Sequence, residues 1–513
     1  MRLRKNTAKF IVLITLVCFL GNCIGYNRVV VKPGDPFPVD KKVVIHWRNY
    51  SYLLSDVSIK NQILEGTVTD QNWKKLSKSK IIHAYIEKSL DTPLENQARC
   101  SIPVTEFDRI ETYNVSTGKT ILKVSGGILA GMAALVIIVL ATKESCPFVY
   151  TYDGTEFKFE GEIYSGAIYP SLERHDYLSL PDLHSSNNEY YIKLTNEVKE
   201  IQYTNLAELL VIDHEADNEV LIDRYGVIHS LSQIQQPQNA RSLNGEDVFD
   251  LIAKKDDKSY VGNIERQGDK LMDGMVLNFT KPAGTDSARL VIHAKNSPWL
   301  DYVFGQFDNL FGDLHDQWQD MQKSAPVAKM EKWEQDQGIP LSAYIEKNGE
   351  WQFVDYFNVA GPMALKDDVL ELDISEIQSD EIRVKLEYGF AFWEIDYVAM
   401  DFSSDVLFYE QTVTVTSAVD QDDEDVSGLL LEDDDQYQVL AEVGHQVSLK
   451  FPVPQADPTM KRSIFLHSKG HYEAIRSPKG MPDINFLNSF RQPGRFIEFS
   501  NEQLRKLVDA GRN

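Results

Sequence analysis

The sequence predicts a mainly β protein with a helical insertion: a small N-terminal β-barrel-like domain, one apolar helix expected to span a membrane, and C-terminal β-sandwich domains. Three observations lead to this prediction. Short segments of alternating apolar and polar residues recur along most of the chain, as in strands with one buried face. One charge-free run, residues 124–142, separates two such regions. Phenylalanines at helical spacing follow Pro298, which predicts an amphipathic helix within the β-rich region.

The N-terminus has the order of basic and apolar residues that export signals share. Four basic residues precede an apolar run from Phe10 to Cys23, which predicts a signal peptide over residues 1–22. Leu20-Gly-Asn-Cys23 resembles a bacterial lipobox, although Asn22 stands where Gly, Ala or Ser is usual. We therefore predict that Cys23 is lipidated. The alternative is an ordinary signal peptide or an uncleaved anchor, in which Cys23 is only a small apolar residue.

The first domain is predicted over residues 27–118. Val43, Ile45 and Trp47 alternate with Val44, His46 and Arg48 in a period of two that β-branched residues support. Further strand candidates follow at 63–68, 80–86 and 102–113. About five short strands in roughly ninety residues are typical of a small barrel or rolled sheet that closes on itself.

The charge-free run at 124–142 is nineteen residues long, close to the ~20 that cross a bilayer. Gly127 and Gly131 lie four apart, as in closely packed membrane helices. The alternative is a buried helix of a soluble protein. By the positive-inside rule, Lys119 and Lys123 place the upstream side of this segment in the cytoplasm, whereas the signal peptide exports that same side. These two predictions conflict, unless the segment packs into the membrane, or against protein, without crossing the membrane.

Strand signals dominate the remaining chain, which we divide into a β-rich domain (146–295), a helical insertion with a β-sandwich (296–405), and an acidic loop with strands and a C-terminal helix (406–513). Asp153-Gly154 and Asn348-Gly349 predict tight hairpins. Ser297 and Pro298 predict a helix start, and Gly338 predicts the end of a second helix that begins near Pro326.

Four stretches resemble an uncharacterised family of bacterial cell-envelope proteins, often predicted lipoproteins. They are CPFVYTYDG (146–154), FEGEIY (159–164), PSLERHDY (170–177) and TNEVKEIQY (195–203). The resemblance extends from Val43 to about Glu473. It implies an envelope location and a β-rich build, and it supplies no catalytic residues.

Candidate site residues are few. Glu173, Arg174, His175 and Asp176 form a cluster of acid, base and histidine that predicts a ligand patch or, as the simpler alternative, a surface ion-pair network. The acidic run offers Asp420, Asp422 and Glu424 as oxygen ligands for calcium, without the spacing of an EF-hand. His467 and His471 lie four apart, but Gly470 and the preceding strand pattern argue against the helix that would direct both to one metal. No catalytic motif is present, and we predict no cofactor.

Charge and cysteine content narrow the function classes. A net charge of −25 repels phosphate backbones, so nucleic acid is excluded as a partner. With Cys18 and Cys23 in the signal region, only Cys100 and Cys146 remain, too few for a disulfide framework. We therefore expect a membrane-anchored protein of the bacterial cell envelope, held by a lipid, the apolar helix or both, that binds or scaffolds a protein or glycan partner. The alternative is a glycan-acting hydrolase with carboxylates that the sequence does not assign; whether the protein is an enzyme stays open.

Overall fold

The computed structural model describes residues 26–30, 42–47, 50–60, 63–69, 81–86, 98–107, 109–115, 147–262, 270–404 and 406–512. The predicted signal peptide (1–22), Cys23, Cys146 and the apolar segment 124–142 lie outside these residues. The chain divides into two compact units, Met1–Leu129 and Ala130–Asn513. Within the described residues, every helix is too short or too polar to cross a membrane.

The first unit contains one seven-stranded sheet. Its strands are β1 (Tyr26–Val30), β2 (Lys42–Trp47), β3 (Tyr50–Lys60), β4 (Ile63–Thr69), β5 (Ile81–Ile86), β6 (Arg99–Pro103) and β7 (Arg109–Val115), with a short 3₁₀ turn at Val104–Glu106. Their order is β1-β7-β5-β2-β3-β4-β6, and all neighbours are antiparallel except the parallel pair β2 and β5.

The expected barrel-like closure is not found among the described strands of this unit. The sheet begins with β1 and ends with β6, and these two strands do not pair with each other. The central strand β2 is buried on both faces: Val43 and Ile45 belong to one apolar cluster, and Val44 belongs to another with Leu53 and Ile81. An open sheet with packing on two faces replaces the single interior that a barrel would have.

The second unit is mainly β with helical segments. Its elements are β8 (Phe148–Tyr152), β9 (Phe157–Glu162), β10 (Arg174–Ser179), β11 (Glu189–Thr195), β12 (Glu200–His214), β13 (Glu219–Ile222), β14 (Ile228–Leu231), β15 (Ile234–Gln235), β16 (Asn239–Ser242), α1 (Phe249–Ile252), β17 (Met272–Thr280), β18 (Ser287–Asn296), α2 (Pro298–Asn309), α3 (His315–Gln322), α4 (Val327–Asp336), β19 (Leu341–Lys347), β20 (Glu350–Phe357), β21 (Lys366–Asp373), β22 (Glu381–Gly389), β23 (Trp393–Asp401), β24 (Tyr409–Thr414), β25 (Ser417–Asp420), β26 (Gln438–Leu440), β27 (Gln446–Pro452), β28 (Lys461–Ala474), α5 (Ile484–Ser489) and α6 (Arg495–Arg512). Short 3₁₀ turns lie at Pro170–Leu172, Gly312–Leu314 and Ser427–Leu429.

The first sandwich packs the sheet β25-β27-β11-β8-β9 against the sheet β10-β28-β12-β24, in which β26 also pairs with β12. Alternate residues of facing strands fill its core, including Ile192, Leu209, Leu449 and Leu466. Strands β12 and β28 pair along nearly their whole lengths, with a bulge between Thr204 and Leu206. This long antiparallel pair forms the central ribbon of its sheet.

The second sandwich packs the sheet β15-β23-β18-β21 against the sheet β16-β17-β22-β19-β20. Its core contains Leu290, Val384 and the fully buried Trp393. All of its strands lie between β14 and β24 in the chain, so it is an insertion into the first sandwich. The predicted divisions at 146–295, 296–405 and 406–513 therefore cut across both sandwiches, because the pairing of β12 with β24 and β28 joins segments that local patterns cannot connect.

The helical insertion occurs as predicted. Helix α2 begins at Pro298, α4 ends just before Gly338, and Phe307 of α2 is buried in the core of the second sandwich. Gly338 has φ +61°, the left-handed conformation that ends many helices. The predicted cap differs in detail: the Ser297 hydroxyl donates to the Ala391 carbonyl and makes no hydrogen bond to the first turn of α2.

The β13–β14 hairpin packs between the two sandwiches. Val220 and Ile222 contact the outer face of β12 and β28, whereas Leu221 and Leu231 contact Val291 on the outer face of the second sandwich. Successive residues of a strand point to opposite faces, so one short strand meets both bodies. The hairpin thereby fixes the spacing of the surfaces on either side of it.

Candidate functional site

A shallow cleft lies beside the β13–β14 hairpin, between the two sandwiches, and its interior volume is about 20 Å³. Strand β10, the hairpin turn, β18, the segment after β20 and the start of β21 form its walls. This interior has room for about one water molecule, so a larger ligand would lie across the mouth of the cleft. Asp176, Asp223 and Asp368 line the cleft together with Lys366 and Arg224. Of these five residues, only Asp176 is among the site residues predicted from the sequence.

Asp176 anchors the first-sandwich wall. Its carboxylate accepts hydrogen bonds from the backbone N–H of Tyr164 at 2.7 Å and of Tyr177 at 3.0 Å, and it pairs with the ammonium of Lys366. Burial opposes ionisation, but Lys366 and Arg174 outweigh it and lower the pKa of Asp176. The pair therefore holds β10 to the start of β21 and presents one fixed anion and one fixed cation to the cleft.

Asp223 lies in the hairpin turn. Its Oδ1 accepts the backbone N–H of Tyr225 and of Val227, both at 2.9 Å, and its Oδ2 lies 3.0 Å from Nε2 of His229. Burial alone would raise the pKa of Asp223, but His229 and the two N–H groups outweigh it and lower the pKa. Gly226 completes this turn with φ +85°, and a Cβ there would lie 2.5 Å from the Tyr177 hydroxyl. The turn thus has a fixed shape and a fixed negative charge.

Asp368 is the least constrained of the three aspartates. One of its oxygens accepts the backbone N–H of Val369 at 2.8 Å, and within the described part of the chain no protein group donates to the other. Burial, together with the charges of Asp176 and Asp223, raises the pKa of Asp368 to about 7, although Lys366 acts in the opposite direction. Near neutral pH this carboxyl can therefore either donate or accept a hydrogen bond.

Arg224 forms the remaining polar wall. Its guanidinium lies 3.8 Å from the centre of the Tyr356 ring and 4.8 Å from that of Tyr225, and it pairs with Asp355 at 3.6 Å. Stacking on rings leaves the edge of a guanidinium available as a hydrogen-bond donor. The cleft therefore combines anionic acceptors, cationic donors and aromatic rings.

The predicted patch of Glu173, Arg174, His175 and Asp176 is divided between two faces of β10. Arg174 and Asp176 point inward, where Arg174 donates to the carbonyls of Ser165 and Val359. Glu173 and His175 lie on the outer face, next to Lys469 and His467 respectively. The four residues therefore form two separate environments, because side chains alternate along a strand.

The outer face of β10, β28 and β12 forms a polar surface that we call the histidine face: Glu173, His175, Tyr177, Glu208, His467, Lys469 and His471, with Asp433 from the acidic loop. His467 and His471 do not form the helical metal motif that their spacing of four would need, because they lie on a strand. The period of two in β28 places His467, Lys469 and His471 on one face, which the alternation of the sequence predicts. Their partner His175 comes from another strand and could not be found this way.

The predicted calcium ligands are not brought together. Asp420 Oδ1 accepts the backbone N–H of Asp422 at 2.9 Å and of Glu424 at 3.0 Å, which closes a local turn. Across the described residues, no three His, Cys, Asp or Glu side chains converge as a metal site would require. The acidic carboxylates here serve the turn backbone.

No protein-family model and no curated protein matches the sequence. Among solved structures, the crystal structure of a GH31 alpha-xylosidase from Xanthomonas citri has a TM-score of 0.18 at 9% identity, over 84% of this chain and 38% of the xylosidase. The atomic structure of Sulfolobus Turreted Icosahedral Virus has a TM-score of 0.14 at 7% identity, over 59% of this chain and 91% of that chain. At these TM-scores neither similarity identifies a shared fold or activity.

Proposed function

We propose that the protein is a binding protein of the bacterial cell envelope whose cleft holds a glycan. The observation that carries the proposal is the Asp368 carboxyl, which faces the cleft with one oxygen that no described protein group satisfies. A polar atom of this kind, on the wall of the cleft, can bind a ligand without the loss of an existing hydrogen bond.

The chemistry of the cleft favours hydroxyl-rich ligands. A sugar hydroxyl both donates and accepts, and the cleft offers acceptors in Asp176 and Asp223, donors in Lys366 and Arg224, and a carboxyl in Asp368 that can do either. Aromatic rings beside these groups suit the apolar face of a sugar ring. The interior of the cleft is only about 20 Å³, so the proposed glycan lies across its mouth and directs its hydroxyl groups at the polar side chains.

The cell-envelope location is part of the same proposal. It rests on the predicted signal peptide, on Cys23 at the end of its apolar run, and on the charge-free segment 124–142. The resemblance of residues 146–203 to envelope proteins supports it independently. The cleft would then face ligands outside the cytoplasm.

Glycan binding to the full-length protein tests this function. A glycan array, followed by titration calorimetry on the best ligand, should give binding that Asp368→Ala weakens by about 10–100-fold, as loss of a hydrogen bond to a charged partner does. Asp217→Ala is the control, because Asp217 is an exposed carboxylate on the β12–β13 connection. Equal affinity of the two variants, or no binding to any glycan, would contradict the proposal.

A hydrolase is the second candidate, and one observation favours it. The pKa of Asp368 is raised to about 7 while those of Asp176 and Asp223 are lowered. Glycosidases use such a division between a protonated acid and an ionised carboxylate. Turnover of aryl glycosides that Asp368→Asn abolishes would support hydrolysis, whereas binding without turnover by the wild type would leave the binding function.

A further inference from the structure

The histidine face brings two imidazoles into direct contact. His175 Nδ1 lies 2.9 Å from His467 Nε2. The ring of His467 is held in place, since it stacks on Tyr177 with 4.6 Å between centroids and its Nδ1 lies 2.8 Å from Glu208 Oε1. Strand register produces this arrangement, because Tyr177 is opposite His467 and His467 is opposite Glu208.

The hydrogen-bond partners determine where the ring protons lie. A carboxylate only accepts, so His467 carries its proton on Nδ1, toward Glu208, and its Nε2 directs a lone pair at His175. Nε2 of His175 lies 3.6 Å from Asp433 Oδ2, beyond hydrogen-bond distance. Without a metal, the Nδ1–H of His175 therefore donates a hydrogen bond to His467 Nε2 at 2.9 Å. When the His175 proton is instead on Nε2, on the side of Asp433, both facing nitrogens have a lone pair free for a metal ion.

The separation of the nitrogens fits a metal ion. With metal–nitrogen bonds of about 2.0–2.1 Å, two ligands at a right angle lie ~2.9 Å apart, whereas two tetrahedral ligands lie ~3.3 Å apart. The observed distance is 2.9 Å, so right-angle coordination by Cu²⁺ or Ni²⁺ fits better than tetrahedral Zn²⁺. We propose that His175 and His467 bind a divalent late transition-metal ion, Cu²⁺ most tightly, with Glu208 and Asp433 orienting the two rings.

The charges around the two histidines and their exposure to solvent favour binding of a metal cation. Glu173, Glu208 and Asp433 surround it against a single ammonium, that of Lys469, which pairs with Asp433 and lies 3.6 Å from Glu173. The His175 side chain is 42% exposed, so water can complete the coordination. Two histidines are the only ligands that we assign, since no third His, Cys, Asp or Glu of the described residues completes a metal cluster. The remaining positions are open to a second ligand, and His175 also lines the cleft.

Metal binding by the full-length protein tests the site without any glycan, so its failure is distinguishable from failure of the proposed function. Protein stripped with a chelator is titrated with Cu²⁺ by calorimetry. Electron paramagnetic resonance with electron spin echo modulation then counts the coordinated imidazoles. The background variant is His46→Gln, which removes a second close histidine pair of the described residues, His46 and His83 at 2.7 Å. We expect one Cu²⁺ with two imidazoles.

Variants identify the ligands. His175→Gln and His467→Gln should each abolish binding of this Cu²⁺ ion. His184→Gln changes an exposed histidine that is not part of a histidine pair and should leave Cu²⁺ binding intact. Glu208→Gln keeps both ligands and should weaken binding by about 10–100-fold, as loss of an orienting carboxylate does. Cu²⁺ binding that His175→Gln leaves intact, or a spectrum with fewer than two imidazoles in the background protein, would overturn the assignment. The imidazole count is measured on protein that keeps both His175 and His467, so misfolding of a ligand variant cannot hide a negative result.

Discussion

Replacement of Phe307 by alanine tests whether the helical insertion is part of the second sandwich. Phe307 lies on α2 and is 7% exposed. Its ring is surrounded by other rings, whose centroids lie 4.8 Å (Phe490), 5.3 Å (Phe311), 5.8 Å (Phe496), 5.9 Å (Trp318) and 6.0 Å (Trp333) away. Trp318, Trp333 and Phe496 lie on α3, α4 and α6, whereas Phe311 and Phe490 lie just after α2 and α5. One side chain of α2 therefore contacts residues on or beside the other four helices from α3 to α6.

The expected loss follows from this environment. Truncation of a buried phenylalanine costs about 3–5 kcal/mol, and aromatic pairs each contribute about 0.5–1.5 kcal/mol beyond buried area. Because several ring contacts are lost at once, we expect Phe307→Ala to lower the free energy of unfolding by about 4–5 kcal/mol. Urea unfolding of the full-length protein, followed by tryptophan fluorescence, measures this value. Trp318 and Trp333 contact Phe307 and therefore report on the affected transition.

Phe353→Ala is the matched control, because Phe353 is a strand residue that is 50% exposed. A change within about 0.5 kcal/mol is expected there. The chain has two compact units, so the comparison must use the same transition and the same denaturant slope in all three proteins. If the free energies of unfolding of Phe307→Ala and Phe353→Ala differ by less than about 1 kcal/mol, the helical insertion is not an integral part of the core of the second sandwich.

Two further predictions concern pH and the anchor. Burial raises the pKa of Glu200 to about 8, so the folded protein binds a proton that the unfolded chain releases, and stability falls as pH rises from about 4.5 to about 8. Glu200→Gln should therefore stabilise the protein more at about pH 8.5 than at about pH 5; equal gains in urea titrations would refute this. Metabolic labelling with an alkyne fatty acid should label the wild type but not Cys23→Ala, and equal labelling would exclude lipidation at Cys23.

Local chemistry made several elements predictable. Asn348 and Gly349 both have positive φ, 54° and 83°, as the tight turn between β19 and β20 requires. Asp153 accepts the N–H groups of Thr155 and Glu156, which closes the predicted turn between β8 and β9. Both signals lie within a few residues of the structure they specify. The strand-rich composition and the helical spacing after Pro298 are local in the same sense.

Long-range pairing was not predictable in this way. Asp213 of β12 and Arg462 of β28 are opposite each other and form a two-contact ion pair, with Nε 2.7 Å from Oδ1, although nearly half of the chain separates them. Local alternation shows that each segment is a strand but not which strand is its neighbour. The insertion of one sandwich into the other therefore could not be deduced, and boundaries drawn from local patterns cut through both.

The same limit explains why the candidate sites were only partly found. The cluster at 173–176 was noticed because its charged residues are adjacent in sequence, yet adjacency on a strand directs neighbours to opposite faces. His175 belongs with His467 of β28, whereas Asp176 belongs with Lys366 of β21. Each functional grouping combines one residue of this cluster with residues far along the chain. The cleft and the histidine face thus share β10 as a common wall, and His175 belongs to both. Metal binding at His175 and His467 should therefore be measured with the cleft both empty and filled.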